Sequence, residues 1–469
     1  MISSSEPIVL GPVKWCRADR VHHPPISTAA SSRVMRRDAR ASFAIVAGMN
    51  IVIIGGGIGG LALALMLQAR GIVARVYESA SEVKPLGVGI NVQPSAVVEL
   101  AALGLLPRLD ATGIRTAEVC YFNRHGQKVW SEPRGMNAGY RVPQFSIHRG
   151  ELQMLLMRAA VERLGAQAVR TGCEAVSVDP SAGRVRLRER ATGREFTEQA
   201  DAIISADGIH SVVRRQFYPD EGPPQFSGCV LWRATTVGKP FLTGASMVMA
   251  GHRDQKLVTY PISRQHADRG ESLINWIAEL RVPGDQAPPK QDWNREVALE
   301  VFASRFERWV WDWLDVPALF RGAKVIFEFP MVDRDPLPRW THDRITLLGD
   351  AAHPMYPIGS NGATQSILDA RVLSEQIAGT DVAGLPAALQ RYEQERLPRT
   401  ARIVMANRAQ GPDYVMDVFE ERAPEGFERV EDVATHEELV EIAAGYKKIV
   451  GLDMETVNAR AQVVLPQGA

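Results

Sequence analysis

Cysteine is scarce in this sequence, with four residues in 469. Cys16, Cys120, Cys173 and Cys229 are widely scattered, and no pair has the Cys-x-x-Cys spacing that is typical of zinc sites and redox dithiols. We therefore expect free thiols in a reducing compartment, mostly as small core residues, rather than a disulfide scaffold or a metal site.

An excess of charge of either sign is also lacking, because 54 lysines and arginines face 54 aspartates and glutamates. Nucleic-acid-binding proteins usually carry a basic excess, so we expect no nucleic-acid partner. The hydrophobic fraction of 45% and the charged fraction of 23% are typical of a globular protein and exclude a disordered chain. The length suits about two or three domains.

Charge is absent from one long stretch, residues 41–69, which follows Arg36, Arg37 and Arg40. Its length and its basic flank would suit a membrane anchor. However, five glycines between positions 55 and 60 divide the stretch into halves that have the length of a buried strand and a buried helix. We therefore predict a soluble, cytoplasmic protein with no membrane span.

Residues 1–48 are rich in serine, proline and arginine and show no helical or strand periodicity. The composition predicts a disordered extension. Two alternatives stay open: a transit peptide, or an upstream start codon with Met49 as the natural start.

The pattern of apolar residues predicts an α/β fold. Strand, helix and strand at 50–54, 59–70 and 74–78 form a βαβ unit, which implies a parallel sheet. Further strands are predicted within 116–130, 176–198, 230–234, 257–262, 273–277 and 344–348. Further helices are predicted at 94–103, 149–164, 294–313 and 362–377, followed by a helical tail from about 386.

The first motif, Gly-Gly-Gly-Ile-Gly-Gly at 55–60, has the spacing GxGxxG between the first strand and helix. Gly55 permits a tight turn, Gly57 lets a pyrophosphate approach the backbone, and Gly60 lets the helix pack closely. Glu78 ends the second strand, where an acid binds ribose hydroxyls. The motif predicts a dinucleotide site without deciding between FAD and NAD.

Two more strands end in an aspartate. Asp207-Gly208 follows the apolar run 200–206, and Gly349-Asp350 follows 344–348. A loop at 357–363 then leads into a helix whose N-terminal N–H groups suit the negative charge of a reduced flavin. An ordinary Asp-Gly turn and an ordinary helix-capping loop are the alternative interpretations.

Together, the three motifs are similar in order and spacing to those of the FAD-dependent aromatic hydroxylases of the para-hydroxybenzoate hydroxylase type, the single-component flavoprotein monooxygenases. The similarity extends from residue 49 to about residue 410. Four other stretches resemble a subgroup of this family that hydroxylates phenazines: 85–91, 130–135, 146–153 and 330–338.

The resemblance implies a Rossmann-like FAD-binding domain with an inserted, mainly antiparallel β substrate domain. We expect the FAD-binding domain to be discontinuous, at 49–224 and 331–385. The substrate domain would occupy 225–330, and a C-terminal helical region 386–469.

The resemblance also implies cofactor roles. Glu78 would bind the adenosine ribose, Arg149 the pyrophosphate or ribityl region, and Asp350 the ribityl chain. Asp207 would lie where FAD and nicotinamide binding meet, and the loop from Pro357 would line the isoalloxazine. The implied FAD-binding residues are Gly55, Gly57, Ile58, Gly59, Gly60, Glu78, Arg149, Asp207, Asp350, Pro357, Gly359, Asn361, Gly362 and Ala363.

The implied reaction is hydroxylation of an aromatic or heteroaromatic substrate with NAD(P)H and O2 through a flavin C4a-hydroperoxide, and phenazine-type compounds are candidate substrates. We expect a monomer or a homodimer. Two alternatives stay open: a flavoprotein dehydrogenase or reductase that inserts no oxygen, and a non-enzymatic binding protein built on the same fold. Because the flavin carries the chemistry, no protein nucleophile is required, and His353 and Pro357 are the catalytic candidates.

Substrate candidates lie on strand-like segments between 225 and 335: Trp232, Arg233, Tyr260, Trp276 and Met331. Strand alternation places some of them on a pocket face and others in the core, and core packing is the alternative for each. Arg233 could clamp a substrate carboxylate. His353 could shuttle a proton or make a structural hydrogen bond.

Overall fold

The computed structural model describes residues 48–82, 88–283, 295–409, 411–450 and 453–465. The expected extension at 1–48 lies outside the described residues except for Gly48, as does part of the phenazine-type stretch 85–91.

The strands are numbered in chain order. They are β1 Ile51–Ile54, β2 Ala74–Tyr77, β3 Gly89–Val92, β4 Ile114–Arg115, β5 Glu118–Phe122, β6 Lys128–Pro133, β7 Phe145–His148, β8 Val169–Arg170, β9 Cys173–Asp179, β10 Arg184–Glu189, β11 Glu195–Gln199, β12 Ala202–Ser205, β13 Gln225–Gly238, β14 Ser246–His252, β15 Gln255–Pro261, β16 Ser272–Arg281, β17 Val310–Trp311, β18 Leu314–Asp315, β19 Phe327–Asp333 and β20 Ile345–Leu347.

The α-helices are numbered in the same way. They are α1 Ile58–Gln68, α2 Pro94–Ala102, α3 Leu106–Thr112, α4 Arg149–Leu164, α5 Val212–Phe217, α6 Arg264–Ala267, α7 Val316–Arg321, α8 Gly362–Ala378, α9 Leu385–Ala409, α10 Tyr414–Arg422, α11 His436–Val450 and α12 Met454–Val464.

A parallel sheet forms the first layer, with the strand order β20-β12-β1-β2-β8. Helix α1 packs against α4, α8 and the strands β1 and β2, and ten of its eleven residues are buried, which agrees with its being apolar on all sides. The βαβ unit is therefore confirmed, and the apolar part of the charge-free stretch is a strand followed by a helix. Among the described residues, no helix is both long and apolar enough to cross a membrane.

A seven-stranded, mostly antiparallel sheet forms the second layer, in the order β19-β13-β16-β15-β14-β5-β6. The β14–β5 pair is its parallel contact. Strands β5 and β6 join this sheet although they come from residues 118–133, well before the predicted insertion. Because side chains alternate along a strand, this sheet packs one face on an aromatic core and the other on the segment before α8 and on α10 and α11.

The predicted helix at 294–313 is wrong. Among its described residues, the chain makes short 3-10 turns at Leu299–Val301 and Ala303–Phe306 and then the β17–β18 hairpin. Trp311 stacks on Trp313, with ring centroids 4.9 Å apart, while Val310 is exposed. Trp311 ends β17 and Trp313 lies in the two-residue turn before β18, a hairpin that is incompatible with a helix over 294–313.

Three of the four cysteines are described: Cys120, Cys173 and Cys229 are free and buried, as predicted. The helical tail is also confirmed, since α9 to α12 account for most of the described residues after 385.

Candidate active site

The turn between β1 and α1 is fixed by Glu78, directly after β2. The Gly56 N–H donates to Glu78 Oε2 at 2.7 Å, and the Ala80 N–H donates to Oε1 at 2.7 Å. Gly55 has φ +106°, and a Cβ there would lie 2.3 Å from the Ala206 carbonyl oxygen. A side chain at 55 would therefore push the turn away from the strand end that precedes Asp207.

A cleft of about 720 Å³ opens beside this turn. Nothing lies within 4 Å of where a Cβ of Gly57 would be, so the backbone faces open space, whereas a Cβ of Gly60 would lie 2.1 Å from the Gly55 carbonyl oxygen. The backbone N–H groups at the N-terminus of α1 are therefore accessible to an anion in the cleft. Its lining residues with titratable side chains include Glu78, Arg149, Glu174, Arg188, Arg190, Asp207, His210 and Arg215.

Asp207 lies in the same cleft, but its carboxylate is engaged within its own loop. Ser205 Oγ donates to Oδ1, and the N–H of Val212, in α5, donates to Oδ2 at 2.9 Å. Desolvation raises the pKa of Asp207, although these hydrogen bonds oppose the shift. The observed contacts make Asp207 the residue that holds the loop before α5.

Asp350 follows β20 and Gly349, whose φ is +62°. Its side chain is exposed to a second cavity, and Gly362 at the start of α8 is close enough for an added Cβ to lie 3.9 Å from Oδ1. Desolvation within the surrounding protein raises the pKa of Asp350, while the charges of His353 and Arg149 oppose this. Arg149 lines both this cavity and the first cleft, so the two adjoin.

The loop that leads into α8 forms one wall of the second cavity, which has a volume of about 220 Å³. Asn361 is fully buried, and its Oδ1 has no hydrogen-bond partner among the described residues. The predicted residues that line this cavity are Arg149, Asp350, Pro357, Gly359, Asn361, Gly362 and Ala363. Three distant chain segments therefore meet around two adjoining hollows.

Three of the predicted cofactor residues are tightly packed at the start of α1. Ile58, Gly59 and Gly60 are buried at the start of α1, where a Cβ on Gly59 would lie 2.8 Å from Leu348 Cδ2. Gly59 and Gly60 allow α1 to approach its neighbours closely.

Two of the five substrate candidates, Arg233 and Tyr260, line the second cavity. Arg233 Nη2 donates to the Gly89 carbonyl at 3.3 Å, while its buried Nε has no hydrogen-bond partner among the described residues. Desolvation lowers the pKa of Arg233 and raises that of Tyr260 to about 12, so Tyr260 carries its proton at neutral pH.

The other three candidates lie elsewhere. Trp232 and Trp276 belong to the aromatic core on the opposite sheet face, where their indole N–H groups donate to Glu328 Oε2 and Thr236 Oγ1, each at 3.0 Å. Met331 is buried on β19 and borders an outer groove. These positions match the core-packing alternative.

His353 belongs to a buried ionic network. Its Nε2 lies 2.5 Å from Asp369 Oδ2, and Arg396 Nε donates to Oδ1 at 2.6 Å. Burial alone would raise the pKa of Asp369, but His353 and Arg396 outweigh it and hold that pKa at about 2. The structural alternative for His353 therefore matches its contacts, and Pro357 is the catalytic candidate that borders the cavity.

The sequence reasoning missed a buried charge cluster at the far end of the cavity. Lys256 Nζ lies 2.6 Å from Asp413 Oδ2 and 3.3 Å from Glu279 Oε2. Lys256 and Glu279 are direct cross-strand neighbours, and both are almost fully buried. Lys256 and Glu279 lie two residues along their strands from the cavity-facing Val258 and Ile277, so strand alternation could have placed them on the same face. Their contact with Asp413 could not have been predicted in this way, because Asp413 lies 157 residues beyond Lys256.

Comparison with known proteins identifies this arrangement. The model of the FAD binding domain family matches residues 48–299 and 328–407. The chain belongs to this family. It is 47% identical over 364 residues to a phenazine 1,6-dicarboxylic acid hydroxylase of Lysobacter antibioticus, covering 76% of this chain and 89% of that protein.

Other relatives agree. A 3-hydroxybenzoate 6-hydroxylase of Klebsiella oxytoca is 30% identical, with 78% of this chain and 89% of that protein covered. The solved 2,6-dihydroxypyridine-3-hydroxylase of Arthrobacter nicotinovorans shares the fold, with a TM-score of 0.61 and 24% identity over 77% of this chain and 93% of that one. The prediction of an FAD-dependent aromatic monooxygenase is confirmed.

The residues present fit FAD. The open space beside Gly57 and the N-terminus of α1 suit a pyrophosphate, and the N-terminus of α8 suits the anionic edge of a reduced flavin ring. Asn361 Oδ1, which has no hydrogen-bond partner among the described residues, offers a hydrogen-bond acceptor beside the N-terminus of α8.

Replacing Asp350 by alanine is expected to weaken FAD binding by about 1.5–3 kcal/mol, roughly 10- to 150-fold, because a polyol would lose a charge-assisted partner. Titration of apoprotein with FAD, followed by flavin fluorescence, measures this. Asp343→Ala, on an exposed turn before β20, is the control. Equal affinities in wild type and Asp350→Ala would refute the ribityl assignment.

Proposed function

We propose that this chain hydroxylates a carboxylated, polycyclic heteroaromatic compound of the phenazine class, with NAD(P)H and O2. Two similarities support the substrate class: the relative from Lysobacter antibioticus and the four stretches that resemble 5-methylphenazine-1-carboxylate 1-monooxygenase. Residues 49–224 and 331–385 would hold FAD, and 225–330 would supply most of the substrate contacts.

The observation that carries the proposal is the guanidinium of Arg233, which faces the second cavity without a carboxylate partner in the part of the chain that the structure describes. Arg233 lies on β13, and the charged or titratable side chains that act on its guanidinium, Tyr260 and Arg149, include no carboxylate among the described residues. An arginine held in this way recognises a planar carboxylate through paired hydrogen bonds. The wall that the seven-stranded sheet contributes is apolar and suits a flat ring: Leu231, Met247, Met249, Val258 and Ile277.

The protein's part in the reaction is to bind, orient and exclude water. When bound, FAD accepts hydride from a reduced nicotinamide and activates O2 for transfer of one oxygen atom to the substrate. Glu78 would hold the adenosine ribose, Arg149 the region between the two cavities, and Asp350 the ribityl chain. The N–H groups at Gly362 and Ala363 would favour negative charge on the ring.

Substrate orientation follows from the cavity's two ends. Arg233 and Tyr260 lie beside Gly89 at one end, and the Lys256 cluster closes the other. A ring system bound by its carboxylate at Arg233 would therefore lie along the apolar sheet face and be shielded from water. Exclusion of water favours transfer of oxygen to the substrate over unproductive consumption of O2.

The test is a substrate screen with the purified holoprotein. We expect phenazine carboxylates to stimulate NAD(P)H oxidation and to yield a product that is heavier by one oxygen atom. Phenazine carboxamides, which keep the ring but lose the charge, are the matched control. Stimulated NAD(P)H oxidation with no oxygenated product from any aromatic carboxylate would indicate a reductase and contradict the proposal.

A further inference from the structure

A tyrosine from the C-terminal region contacts the loop at the start of α8. Tyr446, on α11, is 7% exposed. Its hydroxyl accepts a hydrogen bond from Asn361 Nδ2 at 2.8 Å and lies 2.7 Å from Asn407 Oδ1 and 3.2 Å from the Ile358 carbonyl, both acceptors. One hydroxyl thus joins the loop to both α9 and α11.

The loop packs directly on the tyrosine ring. Gly359 has φ +66°, and a Cβ at this position would lie 2.1 Å from the Tyr446 hydroxyl and 2.6 Å from two ring carbons. A glycine is therefore required here for both its backbone conformation and its lack of a side chain. The contact leaves the loop little room to move toward α11.

A second tie holds the first turn of α8. Gln365 Nε2 donates to the Val450 carbonyl, at the end of α11, at 3.3 Å. Burial raises the pKa of Tyr446 well above its usual range, so the hydroxyl keeps its proton and remains a donor. Helix α11 therefore fixes both the loop and the helix N-terminus that it leads into.

We propose that Tyr446 is a positioning residue that holds residues 358–363 at a fixed distance from the flavin ring and thereby tunes the flavin's reduction potential. The inference rests on the proposed function, because it places the ring at this loop. N–H groups at a helix N-terminus stabilise nearby negative charge, and this effect falls off within one turn. A loop released from Tyr446 would therefore stabilise the negative charge of the reduced flavin less than the held loop does, and would affect the neutral oxidised flavin little.

The test is the reduction potential of the full-length holoprotein with Tyr446→Phe. We expect reduced FAD to lose about tenfold more affinity than oxidised FAD, which lowers a two-electron potential by about 30 mV. The visible spectrum should shift as well. Asn407→Ala, which removes the acceptor that orients the hydroxyl, should change the potential in the same direction and replaces Tyr446→Phe if that variant does not fold.

The matched control is Tyr218→Phe. The Tyr218 hydroxyl donates to the Arg339 carbonyl at 2.7 Å, on a part of the molecule that does not touch the loop. The Tyr218→Phe variant also loses one hydroxyl oxygen, so it reports the effect of losing a structural hydrogen bond elsewhere in the protein. We expect the reduction potential of its FAD to match that of the wild type.

The outcomes separate the two claims. Wild-type protein that binds no FAD would overturn the proposed function and this inference together. Wild-type protein that binds FAD, with an unchanged potential in both Tyr446→Phe and Asn407→Ala, would overturn the inference alone. A lower melting temperature with an unchanged potential would assign Tyr446 to stability and also reject it.

Discussion

Replacing Asp369 by alanine is expected to lower the free energy of unfolding by about 3–5 kcal/mol. The substitution removes the carboxylate that pairs with Arg396, which is 2% exposed, and with His353, which is 3% exposed. Breaking a buried ion pair from one side costs this much because the remaining charge keeps its desolvation penalty. Urea denaturation followed by circular dichroism measures the change.

The same network predicts a pH dependence. The pKa of Asp369 is lowered to about 2 in the folded state, against about 4 in an unfolded chain. Its contribution to stability is therefore complete above about pH 4 and is lost as the pH falls toward 2. Asp369→Ala should flatten this part of the stability curve.

A surface pair provides the control. Glu162→Ala breaks an exposed contact with Arg108 and should leave the unfolding midpoint unchanged. If Asp369→Ala were no more destabilising than this control, the description of a buried, paired carboxylate would be wrong.

Replacing Arg233 by methionine should reduce kcat/KM for an aromatic carboxylate by roughly 10- to 150-fold. This corresponds to the loss of a charge-assisted hydrogen bond, about 1.5–3 kcal/mol. Methionine keeps the length and apolar stem of the side chain, so the fold should survive. Steady-state kinetics with the carboxylate and its carboxamide measure the effect, and the carboxamide should lose little.

Arg264→Met provides the control, because Arg264 lies on α6, is exposed and pairs with Asp268 at the surface. An equal loss of kcat/KM for the carboxylate and the carboxamide in Arg233→Met would show that Arg233 supports the cavity structurally and does not bind the substrate's carboxylate.

The FAD end of the site could be predicted because its signals are local. Gly55, Gly57 and Glu78 lie within one βαβ unit, where spacing alone places them around a turn. Asp350 and the loop before α8 follow a strand of the same parallel sheet, so the carboxyl ends of β1, β12 and β20 meet at one edge. Resemblance to a known family then supplied the identity of the cofactor.

The substrate end could be predicted only in part. Trp232 and Arg233 are neighbours on β13, so they must face opposite sides, but the sequence does not tell which side holds the cavity. The contacts of Lys256 with Asp413 and of Tyr446 with Asn361 join residues from separate layers. Such pairs depend on how α9 to α11 pack on the rest of the chain, for which local periodicity carries no signal.

The most direct measurement is a titration of the apoprotein with FAD, carried out in parallel on wild type, Glu78→Ala and Asp350→Ala. We expect that wild type binds one FAD per chain and that both variants bind it more weakly, because Glu78 in the first cleft and Asp350 in the adjoining cavity would contact a single cofactor. Wild-type affinity in both variants, or no FAD binding by the wild type, would contradict it.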